Sequence, residues 1–540
     1  MVKRKNGIRR LIISALLGLF FACSMVFGMQ LSTNKTLDFS LQTLLSLIVF
    51  TSTFSLIFFF LINVTITYKE NLSFKPSKIL IFSILMALTI IFLLAMYPGN
   101  FCYDIFAQLN SYKTGAYTTH YPPAFCFIMG LIIDAGRFLF GSDEGGVVLF
   151  ILIQAVITNL VITHVISELS SRLKNKTFHI VSCLYVMLHP FIFNLIISTC
   201  HDVFFADCFI LLLLEFLKMS EDKDFFTSKK NLIKTAILTF LLCIIRNNGV
   251  FALIPAIIAL LVVLKGNSKK ILQFVVLPVI IFLVGYNGIF LSLINVQRES
   301  ILHESINIPI MQLARSIYYD KDKVWDVRLN AYFLDDCEWH LYEKYQAISD
   351  AYKVCLKDEM LKYSPLEFAS VWAGIGLKVP NRYIEAVGMQ TLVSYYPWAR
   401  YSDEDSGINQ TYIEFGVRPS PEYTVGIDVA RPSADTKLSW LHDELVKFFD
   451  VDKNWSKVPV FRFIWGAAFS TYLLIITIAL VIYRKAKKYI VPLSFIFGMH
   501  LTVLLAPVII FRYMFPVVLA TPVMFYVIIK VIGSRKEVNK

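Results

Sequence analysis

The chain has 540 residues, 56% hydrophobic, 15% aromatic and 17% charged, with a mean hydropathy of +0.63. Soluble domains average about 45–50% apolar and about 25% charged residues, so a core this apolar cannot be covered by its own polar surface and requires lipid as solvent. The net charge of +12 does not indicate nucleic acid, because residues 298–457 hold 18 basic and 25 acidic residues whereas the remainder holds 33 and 14. Basic residues crowd the short loops between apolar runs, which is the signature of a cytoplasmic face and of contact with anionic lipid.

Apolar runs of about 16–25 residues predict about twelve membrane spans. The basic amino terminus, with Lys3, Arg4, Lys5, Arg9 and Arg10, precedes the first run at 11–31 and reads as an uncleaved signal anchor. A second run at 41–68 returns to a loop with Lys69, Lys75 and Lys78. The third, 79–96, delivers the polar stretch Tyr97-Pro98-Gly99-Asn100-Phe101-Cys102-Tyr103-Asp104 to the outer face, followed by His120-Tyr121-Pro122-Pro123. Pro98 and Gly99 end the helix there. Residues 122–140 are apolar enough to cross but contain Asp134 and Arg137 and end in an acidic turn. A crossing would put Arg172, Lys174 and Lys176 outside, so charge parity predicts a helix lying in the outer interface, with 147–169 as the fourth span.

Spans at 179–199, 203–217, 232–245, 250–264 and 271–296 then alternate with inner loops bearing Lys223, Lys229, Lys230, Lys265, Lys269 and Lys270. Residues 297–458 form an acidic, mostly helical external domain, and six of the seven tryptophans fall there, including Trp325, Trp372 and Trp398. Aromatic rings suit both an interfacial belt and sugar stacking. Three closing spans, 460–483, 489–510 and 515–533, leave both termini inside. The fold class is therefore an all-α polytopic membrane protein in three parts: 1–296 with an outer loop at 97–146, the external 297–458, and closing helices in 459–540. The nine cysteines are scattered with no CxxC or Cys/His cluster, although Cys337 and Cys355 could pair outside the cell.

Polar residues recur at the outer ends of spans: Asp104 with His120, then Ser198-Thr199-Cys200-His201-Asp202, then Arg246-Asn247-Asn248-Gly249, then Arg512-Tyr513. An arginine at bilayer depth costs about 2.5–3.5 kcal/mol on the insertion scale, so carboxylate partners or an anionic ligand are expected. The plainer alternatives are that Asp104 and Asp202 cap helices and that Arg246 and Arg512 snorkel to headgroups. That all four clusters face one side favours a single shared site.

A carboxylate in the first large outer loop, a Tyr-Pro-Pro stretch after it and a second acid at the next outer hairpin resemble the GT-C superfamily of membrane glycosyltransferases. Within it the chain is most similar to an uncharacterised bacterial polytopic family. The matching stretches are YPG…D, HDVFFAD with His201 where that family usually has lysine, RNNG, ESINIPIMQLAR (304–315), YIEA, YYPW and FRYMFP. The resemblance implies a GT-C-like fold in a bacterial cell membrane. The implied activity is inverting transfer of a sugar from a polyprenyl-phosphate donor to a cell-envelope glycan or wall polymer at the outer face. Asp104 would be the general base. Arg246 and Arg512, with Arg315 and Tyr513 behind them, would receive the lipid phosphate. Asp202 would orient the acceptor, hold His201 or ligate a divalent cation, since members of the superfamily differ on metal need. No other cofactor is implied, and the chain shows neither a phosphate-cradling glycine loop nor a nucleotide-sugar motif inside. The competing classes are a transporter or lipid flippase, which two related halves would mark, and a non-catalytic partner of a wall-assembly complex.

Overall fold

The computed structural model of the chain describes residues 2–68, 74–102, 104–298, 302, 305–334, 345–399, 438–449, 458–507 and 509–535. Helices dominate, at 81% of the structure. Those that matter for the site are α1 (Val2–Thr33), α2 (Leu41–Leu61), α3 (Lys78–Ala95), α4 (Ile105–Thr114), α5 (Pro123–Phe140), α6 (Asp143–Leu173), α7 (Lys176–Met187), α8 (Pro190–Ile196), α9 (His201–Glu221), α10 (Lys229–Ile245) and α11 (Asn248–Val263). They continue with α12 (Lys265–Leu293), α13 (Asn307–Val324), α14 (Pro365–Lys378), α15 (Pro380–Tyr395), α16 (Ser439–Phe449), α17 (Pro459–Trp465), α18 (Ala467–Tyr483), α19 (Ile490–Leu504), α20 (Phe511–Leu519) and α21 (Thr521–Ile532).

Among the described residues eight helices are long and apolar enough to cross a membrane, or nine if the bent pair α7–α8 counts as one span. Seven of the eight coincide with expected spans and the eighth is α5; the expected spans at 179–199, 203–217, 232–245, 250–264 and 489–510 are bent, short or charged, α10 having 17 residues. Residues 179–199 break into α7 and α8 at a 60° bend, where Pro190 opens α8 without an amide donor to offer the turn before it. Residues 460–483 break at Gly466, whose extended backbone separates α17 from α18; a Cβ there would lie 2.6 Å from the Arg462 carbonyl. Helices α11 and α19, at 16 and 15 residues, are apolar but short. Helix α9 has the length, at 21 residues, but carries Asp202, Asp207 and Glu215 along its buried side.

Helix α5 has the length and apolarity to cross as well as to lie in an interface. It packs on α6 through glycines, since a Cβ on Gly136 would lie 2.6 Å from the Gly146 Cα. On α4, Tyr112 donates to Asp134 at 2.9 Å, and the Arg137 guanidinium bridges Asp134 and Asp143. The acids and arginine that make α5 ambiguous in sequence thus satisfy one another.

The bundle has two chemically distinct ends. At one, Arg172 at the close of α6 binds Asp222 beyond α9 at 2.7 Å, Glu221 accepts from Tyr489 and Tyr526 at 2.8 Å each, and Lys270 donates to the Phe226 carbonyl. These contacts gather the lysine- and arginine-rich loops. At the other end α3 and α19 finish and α9 and α20 begin. There the described residues of 305–449 pack onto the bundle: His442 of α16 bonds the Ala95 carbonyl at 3.1 Å, Gln390 donates to Ala506 O, and Ser349 N donates to Pro507 O at 3.1 Å. One continuous buried cluster runs from Leu85 through Phe191 and Leu392 to Phe515, so these helices share the core of the bundle.

Candidate functional site

Asp104 is positioned by a glycine and a two-residue stretch of parallel pairing. Gly99 has φ +122°, and a Cβ there would sit 2.0 Å from Ile151 Cδ1 and 2.9 Å from the Ile197 carbonyl, so no larger residue fits. Past it, Asn100 N donates to Ile197 O at 2.9 Å, Thr199 N to Asn100 O at 3.0 Å, and Cys102 N to Thr199 Oγ1 at 3.1 Å. Asn100 Nδ2 also reaches Asn194 Oδ1 at 2.7 Å, and Gln154 Nε2 holds the carbonyls of Ile196 and Ser198 at 2.8 and 2.7 Å. The segment before α4 is thereby clamped beside the segment before α9, and the two carboxylates that follow them, Asp104 and Asp202, come to share Arg512.

Arg512 Nη1 donates to Asp104 Oδ2 at 2.8 Å, and its Nε lies 3.8 Å from Asp202 Oδ2. Arg246 Nη1 donates to Asp202 Oδ1. Tyr513 stands between the two guanidiniums: Arg246 lies over its ring at 4.4 Å, Arg512 at 5.0 Å, and Arg512 Nη2 donates to its hydroxyl at 3.2 Å. His201 places Nε2 3.8 Å from Asp202 Oδ1 and Nδ1 3.2 Å from the Gln108 amide. Asp202, Arg512 and His201 are buried, and Asp104 is largely so. Burial alone would raise the Asp104 carboxyl, but the Arg512 guanidinium, with His201 and His120 behind it, holds it below the usual carboxylate range.

Each cluster sits where a helix begins. Asp104 is the residue before α4, Cys200 precedes α9, Asn247 precedes α11 and Ile510 precedes α20, and none of these four positions makes a side-chain cap bond to its helix. The alternative that Asp104 and Asp202 serve as helix caps is thus not what they perform: their oxygens face arginine. Helix starts expose amide donors and the positive end of the helix dipole. The two guanidiniums at these starts are each paired with a carboxylate, Arg246 with Asp202 and Arg512 with Asp104.

Of the expected residues, the structure brings together Asp104, His201, Asp202, Arg246, Arg512 and Tyr513. His120 is exposed on the loop 115–122, which Asn247 Nδ2 ties to α11 through the Thr119 carbonyl at 3.3 Å, and it is close enough to act electrostatically on Asp104. Arg315 is not with them. It is fully buried on α13, with Nε 3.0 Å from Glu385 of α15 and Nη2 on the Lys35 carbonyl, so its charge is spent on joining α13 and α15 to the α1–α2 turn. Sequence reasoning missed Cys102, which contacts Arg512, and Cys200, which lies 3.4 Å from Asp202 Oδ2. It also missed Gln108, one helical turn beyond Asp104. The signal was their place inside the polar stretches, set aside because isolated cysteines and glutamines carry no spacing pattern. Cys337, Glu304 and Tyr103 lie outside the described residues.

Cys200, His201 and Asp202 could offer ligand atoms within 4.8 Å of one another. A cation there would meet Arg246 on one Asp202 oxygen and Arg512 near the other, so the residues present do not fit a metal.

These features define an all-α polytopic membrane protein with a charge-paired site at one end of its bundle. Within that class the chain belongs to the DUF6020 family, a family of unknown function whose model matches residues 113–330 and 344–540. The matched stretches include His201, Asp202, Arg246 and Arg512; Asp104 precedes them. No curated protein and no solved structure matches the chain.

Proposed function

We propose that the protein is a GT-C-like glycosyltransferase that moves a sugar from a polyprenyl-phosphate donor to a cell-envelope glycan or wall polymer. The observation that carries this reading is the pairing of two arginines with two carboxylates where four uncapped helices begin. The arginines supply a seat for a lipid phosphate, and Asp104 supplies a base within reach of that seat. In the inverting displacement, the acceptor oxygen bonds the anomeric carbon as its proton passes to Asp104. The bond from that carbon to the phosphate oxygen breaks, and its electron pair stays on the phosphate, stabilised by Arg246 and Arg512. Tyr513 fixes both guanidiniums, and Asp202 keeps Arg246 aimed into the site. The clustering of basic loops at the far end supports an outer location for the site, with both termini inside, in a bacterial cell membrane.

The runner-up is a flippase or transporter for the same lipid. Asp207, buried within the bundle and accepting from Thr158 Oγ1 at 2.8 Å, favours it, because ionisable groups inside membranes commonly mark transport paths. The deciding experiment uses purified full-length protein in vesicles. Transfer from a polyprenyl-phosphate sugar to an added glycan acceptor is measured beside movement of the lipid between leaflets. Transfer that depends on Asp104 supports the enzyme; movement of lipid without transfer overturns it.

A further inference from the structure

Arg512 cannot serve Asp104 and an incoming anion equally. Its Nη1 sits 2.8 Å from Asp104 Oδ2, its Nη2 is directed to the Tyr513 hydroxyl, and its Nε is 3.8 Å from Asp202. A carboxylate so engaged is a poor proton acceptor, because taking a proton would cost the ion pair. We propose that Arg512 is a substrate-operated catch on Asp104: the donor phosphate, on entering between Arg246 and Arg512, draws the guanidinium off the carboxylate, so that the base is armed only when the donor is bound. This inference rests on the reading of the site as a phosphate seat and concerns its order of events.

The geometry allows the exchange because each arginine holds its own carboxylate. Arg246 is on Asp202 and Arg512 on Asp104, so a turn of Arg512, at the start of α20, toward phosphate bares Asp104 and leaves the pairing of Asp202 with Arg246 in place. Once Arg512 turns to phosphate, Asp104 is left in a buried position next to an anion. The groups still facing it are His201 and Cys200 from α9, Cys126 from α5, His120 and Cys102 from its own stretch of chain, and Arg246 from the end of α10. Arg246 is the one fixed cation among them, and it is paired with Asp202. Asp104 then gains affinity for a proton, which the acceptor hydroxyl supplies as it attacks. Donor binding precedes productive acceptor binding.

Proton linkage tests this without an acceptor or a known sugar. The probe is the methyl phosphodiester of decaprenol, which carries one charge and does not titrate near neutrality. Its binding to the full-length protein in detergent is followed by calorimetry at one mildly acid pH, in buffers of different ionisation enthalpy. The dependence of the heat on the buffer gives the protons taken up. Wild type is expected to take up protons on binding, and Asp104→Asn fewer. Arg512→Ala is expected to bind more weakly and to show no excess uptake, since it has no ion pair to exchange; it decides the matter if Asp104→Asn does not survive purification. Binding with equal uptake in wild type and Asp104→Asn, or excess uptake kept in Arg512→Ala, overturns the catch and leaves the phosphate seat standing. Absence of binding by the diester overturns the seat and the catch together.

Discussion

At the residue scale the site turns on which charge Asp104 faces. Asp104→Asn is nearly isosteric and cannot accept a proton, so transfer should fall about 10²–10⁴-fold while donor binding persists. Wild-type transfer rates in that variant would remove Asp104 from the role of base. The pH dependence carries a sign. In the free protein Arg512 holds the carboxyl below its usual range, so Asp104 stays charged as pH falls through the ordinary carboxylate pKa. The acid limb of kcat/KM should therefore lie below about pH 4, and that of kcat, which reports the loaded site, should lie higher. Coincident limbs would speak against release of Asp104 by the donor. Gly99 is a separate lever: Gly99→Ala forces a Cβ into Ile151 and the Ile197 carbonyl at positive φ. The strain should cost about 1–3 kcal/mol and loosen the pairing at Asn100. Thermal unfolding and binding of the lipid diester would both register it; an unchanged melting temperature would mean that the loop relaxes freely.

At the element scale, the polar stretches legible in the sequence are helix starts. Asp104, His201-Asp202, Asn247-Asn248 and Arg512 each follow a turn or break; those at Pro98-Gly99 and Asn247-Asn248 were readable, whereas the last was expected at 511–514 and falls at 505–510. Where the long apolar runs would be interrupted was not. A 20-residue apolar run reads as one span whether or not Pro190 or Gly466 bends it, because hydropathy averages over the kink. Helix α5 remains the element on which the charge argument is most exposed. If it lies in the outer interface, the turn at Ser142 is on the same side as the loop at Ala116. An impermeant thiol reagent applied from outside intact cells should then label both Ala116→Cys and Ser142→Cys in an otherwise cysteine-free chain. Labelling of Ser142→Cys only after permeabilisation would make α5 a true crossing.

At the scale of the whole molecule, the two ends of the bundle differ in chemistry and should differ in access. Lys230 and Lys485, exposed near the basic loops, should react as cysteines only after permeabilisation, whereas Ala116→Cys reacts in intact cells. Labelling at Lys230→Cys from outside would invert the orientation and move the site to the cytoplasm. The helices α13 and α15 are held to the bundle by the buried Arg315–Glu385 pair, with Arg382 2.9 Å from the same carboxylate and Leu37 N donating to it at 2.9 Å. Arg315→Leu leaves Glu385 short of its buried partner and should cost about 3–5 kcal/mol. Proteolysis should then cut 305–399 preferentially, while binding of the lipid diester, which uses other arginines, survives in the intact fraction.

The sequence by itself determined that the chain lives in lipid, that it is helical, and that its polar residues collect where apolar runs end, because hydrophobic length and charge are properties of composition and spacing. It also placed Asp104, His201, Asp202, Arg246 and Arg512 at those ends. Only the tertiary structure decided which of them meet. Arg315 carries the same charge as Arg512 and sits in an equally polar stretch, yet it faces Glu385 and the Lys35 carbonyl instead of Asp104. Nothing in local sequence distinguishes the two, since the partner of a guanidinium is set by which helix packs against which. The pairing of Asn100 with Ser198 was equally hidden: a contact between residues 98 positions apart depends on Gly99 letting two backbones approach, and that closeness exists only once α6, α8 and α9 have packed around it.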